Sequence, residues 1–138
     1  MKIKSYSMEN YVSVWVGKCE NMDLFNRYIE KNYNEDDEDS KFELGKDFGI
    51  QTYNEDFTLV YYDEKSTTNL STLLDVGAPE YVMDYFIKEY GEELEEEYNC
   101  AVMFYDMKYD GICKKVHNEK YGEFWYLGNL SSNKFDML

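Results

Sequence analysis

The chain has 138 residues and a formal net charge of -15, with 29 acidic against 14 basic side chains. That length fits one domain whose core needs neither disulfides nor a structural metal, and 15 Tyr with a single Pro exclude a disordered chain despite a mean hydropathy of -0.70. The charge argues against nucleic acid or anionic membrane as a partner, because binding to either rests on Lys and Arg neutralising negative groups.

The first ten residues hold two Lys but no apolar stretch of the kind a secretory leader needs, and Cys19, Cys100 and Cys113 show no C-x-x-C spacing. The expectation is a soluble protein in a reducing cytoplasm, with free thiols and no membrane span, since no apolar run approaches ~20 residues. Tyr11-Val12-Ser13-Val14-Trp15-Val16-Gly17 then places valines on one face at period two and Tyr11, Ser13 and Trp15 on the other. A strand with apolar matter on both sides belongs near the middle of a sheet. Asn21 is positioned to cap a helix whose apolar residues Leu24, Phe25, Tyr28 and Ile29 repeat at three and four.

The run Asn34-Glu35-Asp36-Asp37-Glu38-Asp39-Ser40 reads as an exposed loop, because like charges at successive positions repel. It fails as a calcium loop: counted from Asn34, Asp39 and Gly45 stand where Gly and a bidentate Glu are required. Residues 46–50 read as a turn with buried Phe48 and Ile50, and 56–62 as a second strand. Asp47-Phe48-Gly49 spells a kinase magnesium triplet by coincidence, since the chain lacks the other kinase motifs. Leu70, Leu73 and Leu74 make a short helix ending by Gly77. Pro79 opens the longest helix, with Met83, Phe86, Ile87, Tyr90 and Leu94 in one stripe. Gly91 offers that helix an earlier end, which would leave 92–97 as a frayed acidic turn. Residues 100–105 and 123–128 read as the third and fourth strands, the former buried. The expected order is strand, helix, strand, two helices, two strands. The expected fold is α+β: one domain over 1–138 with a sheet of about four or more strands packed by two to three helices.

The acidity is concentrated. Residues 34–64 carry net -9 and 80–97 carry net -7, while the rest of the chain comes to +1. The second segment has a ready explanation in the solvated side of a helix; the first, around a loop, is where a basic protein partner would be steered. Chemistry is harder to find. His117 lies four residues after Cys113, which makes neither a zinc site nor a nucleophile pair with an orienting group, and no phosphate loop, nucleophile elbow or H-E-x-x-H occurs. Neither an enzyme nor a metal or other cofactor is expected. Trp15 and Trp125 read as core residues, whereas Tyr53, Tyr61, Tyr62 and Tyr105 could be half-buried interface residues.

Two segments, 12–17 followed by a short helix, and Lys46-Asp47-Phe48-Gly49-Ile50-Gln51-Thr52-Tyr53-Asn54-Glu55-Asp56-Phe57, resemble the immunity protein 22 family of bacterial polymorphic toxin systems. The resemblance runs from Tyr11 to about Leu130. Gln51 and Asn54 depart from the acidic residues usual in the family. The resemblance implies an α+β fold and a cytoplasmic, non-enzymatic protein that binds and blocks a cognate toxin. A nuclease, with a basic active site, is the target such an acidic surface would suit. The alternative is an acidic binding or structural module unrelated to toxins; a toxin-like reading frame immediately upstream would separate the two. The residues expected to meet the partner are Glu35, Asp36, Asp37, Glu38 and Asp39 with Glu55 and Asp56, and Tyr53 as the aromatic anchor beside them.

Overall fold

The structure is a computed structural model and describes residues 3–32, 40–75 and 80–131. In chain order the elements are β1 (Ser7–Lys18), α1 (Met22–Ile29), α2 (Glu43–Phe48), a 3-10 turn (Glu55–Phe57), β2 (Thr58–Asn69), α3 (Leu70–Leu73), α4 (Glu80–Tyr90), β3 (Glu93–Met107), β4 (Lys115–Asn118) and β5 (Gly122–Ser131). The five strands form one antiparallel sheet in the order β2-β3-β1-β5-β4, so β1 is its central strand, as its two-sided apolar pattern requires.

Alternation along β1 divides the interior. Trp15 packs with Phe25, Tyr28, Phe48, Phe104 and Phe124 on the face covered by α1 and α2. Val12 and Val14 pack with Leu70, Leu74, Val82, Phe86 and Met103 on the face covered by α3 and α4. The result is a helix-sheet-helix arrangement of α+β class in a single domain. Trp15 is fully enclosed, its ring centroid 5.7 Å from Phe48 and 5.6 Å from Phe104, both edge-on. Short local caps start α1 and α3: the Asn21 side chain accepts from the Leu24 N–H at 2.8 Å, and the Asn69 side chain from the Thr72 N–H at 2.9 Å.

Several expectations need correction. Residues 43–48 form helix α2, which takes in the first three residues of the turn expected over 46–50. Gly45 is buried where a Cβ would collide with Ser40 and the Ile50 carbonyl, and Gly49 serves as the left-handed C-cap at φ 79°. The acidic stretch after Gly91 is no frayed turn. Helix α4 ends at Tyr90, Gly91 turns the chain at φ 89°, and Glu93 begins the longest strand, its carboxylate accepting from Thr68 Oγ1 at 2.6 Å and Asn69 Nδ2 at 3.3 Å. Those two bonds hold the Glu93 carboxyl below the usual range. Leu94, read as part of the helix stripe, therefore lies in β3, where it still reaches the second core. Strand β2 continues past Tyr62 to Asn69 through a register shift opposite β3. Strand β4 places His117 in the sheet, and its four residues are too few to show a period in the sequence.

Candidate functional site

Of the residues singled out for partner contact, Glu55 and Asp56 stand at the entry to β2. Asn54 caps the 3-10 turn by accepting from the Asp56 N–H at 3.1 Å, which places Glu55, Asp56 and Phe57 together on the surface. Phe57 is 55% exposed, an unusual position for a large apolar ring, and Val60 on β2 is 44% exposed. Glu35, Asp36, Asp37, Glu38 and Asp39 lie outside the described residues. The chain enters and leaves that segment close together, because the Asn32 N–H donates to the Lys41 carbonyl at 2.6 Å.

Tyr53 has structural duties. Its hydroxyl donates to the Ile29 carbonyl at 2.6 Å, and its ring lies 4.8 Å from both Phe42 and Phe104. Burial, with Glu30 nearby, pushes its pKa up to about 12. Burial raises Tyr126 to about 12 as well, although Asn129 and Ser13 hydrogen bonds oppose it. A raised phenol pKa means that the unfolded chain loses its protons first. The stability these two rings contribute is whole below pH 10.0 and is lost as pH climbs from there through about 12. Thermal melting across that window, followed by tyrosinate absorbance, should show the midpoint falling and the absorbance rising together with unfolding.

Lys31, mostly buried, sits 4.8 Å over the Tyr53 ring and 3.5 Å from Glu55, so it offsets part of the acidity at this point. It belongs to a feature that the charge profile hides: Arg27, Lys31, Lys41 and Lys46 line a cavity of about 460 Å³ with Glu30, Glu43 and Tyr121. The four cations are scattered through the sequence, which is why only the fold assembles them at the base of the acidic segment. A second cavity, of about 580 Å³, opens at the middle of β2, lined by Glu20, Asn21, Met22, Tyr62, Asp63, Glu64 and Lys65. Beyond it Glu93, Glu95, Glu96 and Glu97 stand exposed on β3, with Lys18 bonded to Glu96 at 3.1 Å.

No group of three or more His, Cys, Asp or Glu among the described residues is placed to hold a metal ion. His117 contacts Glu123 at 3.2 Å, and Cys19, Cys100 and Cys113 are free, each with its thiol pKa raised by burial. Among the described residues no helix is long and apolar enough to cross a membrane. The arrangement offers a sheet edge with exposed apolar residues and carboxylates beside it.

No curated protein and no solved structure matches the chain. The profile of the family described as Immunity protein 22 matches residues 12–132, from the central strand to the end of β5, and such membership supports a general toxin-neutralising role with a toxin protein as partner. The chain belongs to the Immunity protein 22 family.

Proposed function

We propose that this protein neutralises one cognate toxin, a nuclease, by covering it with the acidic surface that begins at residues 34–64, without enzymatic turnover and in the cytoplasm. The observation that carries this reading is family membership over residues 12–132 combined with the net -9 of residues 34–64. A nuclease active site is basic because it holds phosphates, so an acidic surface competes for the same groups that bind substrate. Inhibition then requires only complementarity and occlusion. Glu35, Asp36, Asp37, Glu38 and Asp39, with Glu55 and Asp56, supply the long-range attraction. Phe57 takes the place of Tyr53 as the exposed aromatic contact, because the Tyr53 hydroxyl and ring are already engaged in the fold.

The direct test is co-expression. The toxin domain encoded immediately upstream should arrest growth when expressed alone in a bacterial host, and this protein should restore growth. Degraded nucleic acid in the arrested cells identifies a nuclease. Arrest that persists despite well-expressed immunity protein rejects the reading.

A further inference from the structure

Among the described residues, β2 pairs on one side only, with β3. An edge strand carries unpaired N–H and C=O groups along its outer side, and proteins usually blunt such edges with charge or cover them. Here residues 58–62 carry no charged side chain; the charges lie at the two ends, Glu55 and Asp56 before the strand and Asp63 and Glu64 after that stretch. Val60 is exposed in its middle. Two positions on, and hence on the same side of the sheet, Tyr62 lines the cavity it shares with Met22, Glu20, Asp63 and Glu64. That cavity combines an apolar wall with three carboxylates against the one cation Lys65, an acidic balance that suits a Lys or Arg side chain whose stem lies along Met22 and Tyr62.

We propose that the outer edge of β2 over residues 58–62 accepts a β-strand from the toxin, with an apolar residue beside Val60 and a basic side chain two positions away in the cavity at Tyr62, Asp63 and Glu64. The proposal rests on the toxin-binding reading above and adds the mode of docking. Strand addition of this kind draws affinity from main-chain hydrogen bonds and specificity from alternate side chains. The charge layout selects the occupant. A second copy of this chain, paired antiparallel about Val60, would bring Asp56, in the turn before the strand, toward Glu64 at both ends of the contact, while Glu55, which would fall toward Lys65, is already paired with Lys31 at 3.5 Å. A strand with basic flanks meets attraction at the same positions.

The test uses a capped peptide in which threonine alternates with one valine and one arginine, and a copy N-methylated on alternate residues in either phase to block main-chain pairing. In amide NMR spectra of the full chain, millimolar peptide should shift and protect the amides of residues 58–62, and the N-methylated copies should fail to do so. Val60→Glu, with its melting midpoint checked, should weaken peptide binding by about tenfold, as should the pair Asp63→Asn and Glu64→Gln. No response at 58–62, an equal response to both peptides, or a dimer of this chain that Val60→Glu dissolves would overturn the proposal. Growth rescue by the wild type reads the toxin-binding claim separately: peptide docking without any rescue by the wild type removes the toxin, while wild-type rescue without peptide docking removes the strand.

Discussion

Trp15→Ala is expected to lower stability by about 3–5 kcal/mol, the range for emptying a fully enclosed aromatic site. Trp15 is 0% exposed on the central strand and touches Phe48, Phe104, Tyr109 and Tyr126, so its loss leaves a hole that both the sheet and α2 would have to close. For a chain of this size the thermal midpoint should fall by on the order of 10 °C or more. The indole N–H has no hydrogen-bond partner among the described residues. Trp15→Phe should therefore cost less than alanine, since it removes volume and no hydrogen bond. Calorimetric melting of the two variants is the check. Unchanged melting in Trp15→Ala with lost toxin binding would make Trp15 an interface anchor.

Neutralising Asp36, Asp37 and Asp39 together as asparagine should slow association with the toxin by about tenfold at low ionic strength and leave dissociation nearly unchanged. Attraction between separated charges acts on the encounter, before contacts form. Salt should then narrow the difference between variant and wild type, because screening confines such forces to ~8–10 Å. Melting should hardly move, since like charges at successive positions repel one another and removing three of them costs the fold little. Stopped-flow association at two ionic strengths measures the effect, and an unaltered on-rate would shift recognition to Asp63, Glu64 and the β3 glutamates.

The parts of this molecule that were legible in its sequence are those where one physical pattern dominates. Valines at 12, 14 and 16 opposite Trp15 specify a strand buried on both faces, and β1 is central. Asn21 and the apolar spacing after it specify α1, and Gly91 does end α4. Where two patterns compete, tertiary context decides. The glutamates at 93 and 95–97 resemble helix residues, yet they sit in β3 because pairing with β2 satisfies the backbone while the carboxylates stay in water. In α2, the three residues 46–48 read as part of a turn, and the helix forms because Gly45 allows close packing against Ser40 and the Ile50 carbonyl. The surface at the start of β2 was legible only as charge. Phe57 and Val60 read as strand residues like any others; Phe57 instead ends the 3-10 turn before β2, and Val60 lies on an edge strand, a property of strand order that no local pattern encodes. The cationic cavity of Arg27, Lys31, Lys41 and Lys46 was invisible for the same reason.

The measurement that bears most directly on the central claim is a titration of the purified toxin domain with this protein, following toxin activity on its substrate. Inhibition by occlusion predicts activity falling in proportion to added protein and reaching zero at one equivalent, with both chains recovered unmodified as a complex on size exclusion. Inactivation by a small fraction of an equivalent, or full toxin activity at a large excess, would contradict it.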